Sequence, residues 1–339
     1  MNENLPIVGI TIGDVAGIGP EVVVKALKRA DIYELCRPLV IGDARIFADP
    51  KFAAGCDQVR TVASLAEAEY QFGTLTVLDM PTVNPADVEI GQISALAGDA
   101  AVQYVLKATH LAMAGEIDAI ATAPLNKEAM QSAGHHYIGH TEILAEVTET
   151  PDCTTMLATP GLRVTHVTRH VPFRAISDKL TLDSVLLTTQ ITYEGMLDLG
   201  YEHPRIAVAG LNPHNGEGGI LGMEEIDVIA PAVKVAQEKG IGAYGPIPAD
   251  SVFFQAIRGD YDVVVCMYHD QGHIAVKTHG FERSITITLG LPIVRTSADH
   301  GTAFDIAGRG IAHEDSMVEA IVEAARIATR RKARLGAES

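Results

Sequence analysis

The stretch Met267-Tyr-His-Asp-Gln-Gly-His-Ile-Ala-Val-Lys277 follows directly on the apolar run Tyr261-Asp-Val-Val-Val-Cys266. A run of this kind predicts a buried strand, and His269, Asp270, His273 and Lys277 fall just past its carboxyl end, the edge where open α/β sheets bind ligands. Two earlier segments repeat the arrangement. Arg163-Val-Thr-His-Val-Thr168 leads into Arg169-His170-Val-Pro, and Arg205-Ile-Ala-Val-Ala-Gly-Leu211 leads into Asn212-Pro-His214-Asn-Gly-Glu-Gly-Gly219. A lone histidine past a strand is more often a cap or a solvated group than a ligand. Three at one topological edge predict that His170, His214 and His269 hold a metal ion with one position left open, as in catalytic zinc-type sites. Asp270, next to His269, could orient an imidazole or act as a base, whereas nothing independent selects His273 or His279.

Working outward, 339 residues with 47% hydrophobic side chains and few aromatics give enough material for two compact lobes and a substantial core. No apolar run approaches the roughly 20 residues a membrane-spanning helix needs, and the N-terminus has no basic stretch followed by an apolar one, so a soluble cytoplasmic protein is expected. A formal net charge of −17 disfavours nucleic acid and acidic membrane surfaces, which reward clustered cations, and points to a small-molecule enzyme. An anionic substrate then needs a local basic pocket. Lys277, Arg283 and Arg295 supply one close to the histidines in sequence. The four cysteines are scattered without a C-x-x-C pair, which predicts reduced, mostly buried thiols rather than disulfides or a thiolate metal site.

Along the chain, strands and helices alternate, which predicts a parallel α/β architecture. Pro6–Ile12 reads as a strand, and Gly13-Asp-Val-Ala-Gly-Ile-Gly-Pro-Glu21 as a glycine turn into a helix. That turn is an anion or cofactor loop, or merely a structural one. It is not the dinucleotide fingerprint, since Val22 stands at the third glycine position. Residues 94–114 repeat small and apolar side chains at helical spacing, a stripe that core packing explains by itself. Gly139-His-Thr-Glu142 opens a helix whose first N–H groups could hold an anion, with Thr141 as a plain N-cap the alternative. Near the end, Asp299-His-Gly-Thr-Ala-Phe-Asp-Ile-Ala-Gly308 allows close backbone approach to a planar ligand, and Asp305 could accept a hydrogen bond from a ribose hydroxyl.

Taken together, Gly13–Glu21, Gly139–Glu142, Asn212–Gly219, Tyr268-His-Asp-Gln-Gly272, Leu289-Gly-Leu-Pro-Ile-Val-Arg-Thr-Ser297 and Asp299-His-Gly-Thr302 resemble the 4-hydroxythreonine-4-phosphate dehydrogenase family, the PdxA type, over essentially the whole chain. The last loop also resembles the adenosine loop of isopropylmalate dehydrogenases. The resemblance implies a two-lobed α/β fold of the isocitrate and isopropylmalate dehydrogenase kind with its active-site cleft between lobes. The first lobe would comprise residues 1–125 with 285–339, the second 126–284.

The resemblance further implies a metal on His170, His214 and His269, one divalent ion per subunit (zinc, or else magnesium, manganese or cobalt), in a site completed across a homodimer. His140, Thr141, Lys277, Thr286 and Arg295 would contact a phosphorylated substrate, and His300, Gly301, Asp305 and Ile306 the cofactor. An Asp-Ile pair at 305–306 accompanies NAD in the resembled enzymes, where a Lys-Tyr pair accompanies NADP. Asp270 and Asp250 are the candidate proton acceptors.

The implied reaction is NAD-linked oxidation and decarboxylation of 4-phosphooxy-L-threonine to 3-amino-2-oxopropyl phosphate and CO₂. Two departures open an alternative. Thr286 replaces the family's usual Asn, and Asp14-Val15 its usual Glu-Pro, which makes D-threonate or D-erythronate 4-phosphate, yielding dihydroxyacetone phosphate, the alternative substrate. A phosphate acetyltransferase-like acyltransferase and a non-catalytic phosphometabolite binder are more distant readings.

Overall fold

The structure is a computed structural model, and it describes residues 4–52, 56 and 58–338. Twelve strands are found among the described residues: β1 (Ile7–Thr11), β2 (Arg37–Gly42), β3 (Val59–Val62), β4 (Leu75–Asp79), β5 (Ala119–Thr122), β6 (Thr154–Thr159), β7 (Leu162–His166), β8 (Ile206–Ala209), β9 (Ala243–Ile247), β10 (Val263–Cys266), β11 (Ile285–Leu289) and β12 (Arg295–Ala298). The chain forms two compact units, Met1–Pro151 with Leu291–Ser339, and Asp152–Gly290. No helix of the described residues is long and apolar enough to cross a membrane.

In the first unit the strand order is β3-β4-β2-β1-β5-β12, and every described pairing is parallel. Register sets Thr11 beside Thr122 and Thr122 beside Ser297, so the loops leaving β1, β5 and β12 emerge at one edge. The stripe at 94–114 forms the helix Ala95–Met113, capped where the Ser94 hydroxyl accepts from Ala97 N–H. Gly98 lets the next helix, Lys127–Ser132, lie against it: a Cβ there would sit 2.3 Å from the Ala129 backbone. Helices Lys127–Ser132 and His140–Val147 both pack on Ala95–Met113. Residues 126–151 accordingly belong with the first unit, not with the second as the sequence suggested, and the later border falls at Gly290 and Leu291 rather than at 284 and 285.

The second unit orders its strands β11-β6-β7-β10-β8-β9. Here the parallel pattern is interrupted: β6 pairs antiparallel with both β7 and β11. β6 and β7 form a hairpin across Pro160-Gly161, where Gly161 takes a φ of +85° that a tight turn requires. The remaining pairs, β7–β10, β10–β8 and β8–β9, are parallel. All four residues of β10 are fully buried, as a central strand covered on both faces must be. Its Val264 packs with Leu157, Val164, Ala207, Val252 and Val276.

Candidate active site

Strands β7, β10 and β8 are adjacent and parallel, with Thr165, Val265 and Val208 level with one another. The three histidine-bearing loops therefore leave the second unit's sheet at the same edge. From β10 the chain turns at Tyr268 into the helix His269–Gly280, which places His269, His273 and Lys277, each four residues apart, along one helix face. His170 and His269 stand with ring centroids 5.7 Å apart. Two imidazoles sharing a tetrahedral ion with metal–nitrogen bonds of about 2 Å place their ring centres about 5 Å apart, a separation close to that of this pair. Asp270 Oδ1 lies 2.6 Å from His269 Nδ1, and a hydrogen bond there leaves Nε2 as the ring's lone-pair donor.

Two further histidines join the cluster. His273 stacks on His269 at 3.6 Å between centroids, and its Nδ1 is 3.0 Å from the His269 carbonyl and 3.3 Å from His166 Nε2. His166 is 2% exposed. Burial first, then repulsion from His273 and His269, holds its pKa well below the usual histidine range, so it is neutral at physiological pH.

His214 arrives from β8 on a different kind of backbone. His214, Asn215, Gly216, Glu217 and Gly218 have φ of 52°, 56°, 73°, 46° and 66°, a full left-handed turn. Such a conformation costs an L-residue about 1–2 kcal/mol, and three of the five positions are not glycine. The imidazole is exposed. Among the described residues no three His, Cys, Asp or Glu side chains converge as a ligand set within one chain. Asp250, the other carboxylate singled out from sequence, is exposed in the first turn of the helix Ala249–Ile257. Thr286 is half-buried on β11, and Lys277 lies over the Phe281 ring at 5.2 Å.

At the corresponding edge of the first unit, Arg295 on β12 is 2% exposed, and its Nη2 donates to Thr122 Oγ1 at 2.7 Å. Burial pushes this guanidinium down to about 9 while Glu142 pulls it back up, which leaves it protonated at neutral pH. His140 is held well below its normal range by burial and then by the Arg295 charge, against a hydrogen bond to the Ala123 backbone. Its Nε2 is shut off from solvent without a hydrogen-bond partner. The backbone bond therefore uses Nδ1–H, and Nε2 is left as an acceptor beside a cation. Thr141 is not the cap of its helix, since Gly139 holds that place and Thr141 lies inside the first turn.

The glycine loop after β1 and the loop after β12 are locked together. Ile18 N–H donates to the Thr302 carbonyl at 3.0 Å, and a Cβ on Gly17 would meet that same oxygen at 2.8 Å. Below them, buried Glu21 accepts from Ala312 N–H and from Lys25, whose ammonium also donates to the Gly310 and Ala312 carbonyls. Asp305 and Gly301 are exposed on this anchored loop, with His300 and Ile306 half-buried. A carboxylate held outward on a fixed backbone suits a ribose hydroxyl.

Residues 34–324 match the family model described as pyridoxal phosphate biosynthetic protein PdxA. The chain belongs to the PdxA family. Its similarity to a D-threonate 4-phosphate dehydrogenase of Cupriavidus necator is 47% identity, covering 98% of this chain and all of that one. Among solved structures it is similar to a 4-hydroxythreonine-4-phosphate dehydrogenase from Burkholderia phymatum (48% identity, 96% and 99% of the two chains, TM-score 0.84). A second, from Klebsiella pneumoniae, shares 44% identity over 95% and 99% of the chains with TM-score 0.86. The fold is the α/β architecture of PdxA-type dehydrogenases, as the sequence motifs implied.

Two residues of this histidine cluster, His166 and His273, are not selected by the sequence as ligands. His166 reads there as one more strand residue, because its burial depends on helix His269–Gly280 closing over it. His273 carried a usable signal, the four-residue spacing from His269 that puts two helical side chains on one face. Cys36 and Cys266 are buried and free, as the scattered spacing implied, with burial pushing Cys36 up to about 12 and Cys266 higher still.

Proposed function

We propose that this chain oxidises D-threonate 4-phosphate at C3 with NAD and releases CO₂ from C1, yielding dihydroxyacetone phosphate. The observation that carries this choice of substrate is Thr286. Where the resembled motif has Asn, a half-buried threonine offers one short hydroxyl, which suits a C2 hydroxyl better than an amino group. The name of the 47% identical relative agrees with it. The names of the two solved structures favour a second reading, 4-phosphooxy-L-threonine as substrate.

The residues divide the work as follows. Arg295 and Lys277 neutralise the phosphate, which a chain of net charge −17 could not otherwise retain. Thr141 adds a hydroxyl in the first turn of its helix, and His140, neutral beside Arg295, would contact the substrate next to it. Asp270 is engaged with His269, so Asp250 is the carboxylate that takes the C3 hydroxyl proton, and NAD would supply the hydride acceptor for C3. The C1–C2 bond then breaks, its electron pair forms the enolate of the new ketone, and C2 takes up one proton, matching the one released in the oxidation. A divalent ion held by His170, His214 and His269 would lower the pKa of the reacting alcohol and stabilise the developing oxyanion. The cofactor's ribose would rest on Asp305, beside Ile306, His300 and Gly301.

A homodimer would complete this metal site, His214 reaching the ion from the second copy. Next to its turn lie Ile220, 81% exposed, and Leu221, Met223 and Ile226, all exposed, an apolar surface of the kind that marks an interface.

The test is steady-state kinetics of the purified protein with both phosphorylated acids. D-threonate 4-phosphate should show the higher kcat/KM, with loss of turnover on chelation and recovery with zinc. A higher kcat/KM for 4-phosphooxy-L-threonine would establish the second reading instead.

A further inference from the structure

The segment from Gly210 to Ile229 contains the left-handed turn at 214–218, and a backbone in that region stays put only if its surroundings hold it. Glu225, 3% exposed, holds one side. Its Oε1 accepts from Leu211 N–H and Asn212 N–H, both at 2.7 Å, and its Oε2 accepts from Asn212 Nδ2 at 2.9 Å. Two glycines make room for the carboxylate: a Cβ on Gly216 would lie 2.9 Å from Oε2, and one on Gly210 3.2 Å from Oε1.

Glu224 completes the grip. Its Oε2 accepts from the same Asn212 amide at 2.7 Å while its Oε1 accepts from the Ser177 hydroxyl at 2.6 Å. Adjacent residues of an α-helix point about 100° apart, yet these two carboxylates reach one amide. They do so at the start of a single π-helical turn, Glu225–Ile229, an irregularity that recurs at functional sites. On the other side, Asn215 Nδ2 donates to the Pro246 carbonyl at 2.7 Å. His214 is thus flanked by two tied-down asparagines while its own ring faces outward.

We propose that Glu225 is a positioning residue for this reaction: its buried carboxylate locks the left-handed turn and so fixes the direction from which His214 meets the divalent ion. The inference rests on His214 being a metal ligand. A carboxylate with only a folding role would change stability and leave metal affinity alone. A positioning role changes metal affinity in a protein that still folds.

Glu225→Gln keeps the shape and the acceptor for both backbone N–H groups, but sets its new amide donor against the Asn212 amide donor. The triple variant N212D/E224Q/E225Q reverses the polarity of the whole network: Asp at 212 accepts from both new amides, whose oxygens still serve Ser177 and the backbone. Zinc affinity of the full-length protein, measured by competition with a chromophoric chelator, is read beside kcat and KM.

Glu225→Gln should bind zinc about 10- to 100-fold more weakly and lose kcat to a similar extent, with KM for NAD unmoved. The triple should recover both. If Glu225→Gln does not fold, Asn212→Ala, which leaves both backbone bonds to Glu225 intact, should show the same loss. Wild-type zinc affinity in whichever of the two folds, or a cooperatively melting triple with no recovery, overturns the proposal. His214→Ala separates the two levels. Unchanged zinc affinity there overturns the ligand reading and the proposal with it, whereas weakened zinc in His214→Ala beside unchanged zinc in Glu225→Gln overturns only the positioning role.

Discussion

Asp14, in the glycine loop after β1, is fully buried, with Oδ1 accepting from Ala16 N–H and Oδ2 without a hydrogen-bond partner. Burial raises its pKa from 3.8 to about 6, only partly opposed by the Ala16 bond. Because the folded value lies above the unfolded one, the stability of the neutral form is fully present below about pH 4 and is lost as pH rises through 6. Asp14→Asn removes that dependence. The unfolding free energy of Asp14→Asn minus that of the wild type should therefore grow by about 2 kcal/mol between pH 4.5 and pH 8, by urea denaturation at each pH. A difference that stays flat would show that Asp14 titrates normally. Asp305 sets a second residue-scale expectation. An outward carboxylate accepts from the ribose 2′-hydroxyl of NAD but repels the 2′-phosphate of NADP, worth about 1–3 kcal/mol or ten- to a hundredfold in kcat/KM. NAD should be preferred to that extent, and Asp305→Lys with Ile306→Tyr should narrow or reverse the ratio. Equal use of both cofactors by the wild type would mean that the carboxylate does not reach the ribose.

One helix, His269–Gly280, carries three residues of the proposed chemistry, and Gly272 decides how closely it approaches the sheet. A Cβ there would lie 2.5 Å from His166 Nε2 and 2.9 Å from both Cys266 Sγ and a Val164 methyl. Overpacking of this kind costs about 1–3 kcal/mol, so Gly272→Ala should lower the urea midpoint accordingly and reduce kcat as His269 is pushed outward. Wild-type stability and turnover would mean that the helix yields without moving its histidine face. This element also shows what sequence alone reveals. The β10 run is legible because a strand buried on both faces must be apolar throughout, and the histidines are legible because they follow such runs at a shared edge. β6 is not, since Thr154-Thr-Met-Leu-Ala-Thr159 lacks that signature, although the Pro160-Gly161 turn after it was available as a signal. His166 and Asp14 stay hidden for a different reason: nothing in their neighbours in sequence says that a helix or loop will bury them.

At the scale of the whole molecule, the ligand set decides how copies must cooperate. His170 and His269 stand with ring centroids 5.7 Å apart in one chain, while no set of three His, Cys, Asp or Glu side chains converges among the described residues. If His214 comes from a second copy, each site takes two histidines from one subunit and one from the other. Mixing His214→Ala with His269→Ala, each inactive alone, then gives hybrid dimers with one intact site, the His269-bearing subunit supplying its pair and the other its His214. Random exchange makes half of the dimers hybrid, each with one working site of two, so turnover should recover to about a quarter of the wild-type value. His214→Ala with His170→Ala should behave alike. His170→Ala with His269→Ala should not recover, because each hybrid site then lacks one member of its pair. Exchange can be confirmed with differently tagged subunits before activity is read. Recovery in the His170 and His269 mixture, together with only one of the other two, would divide the ligands between subunits differently, and no recovery in any mixture would place all three in one chain.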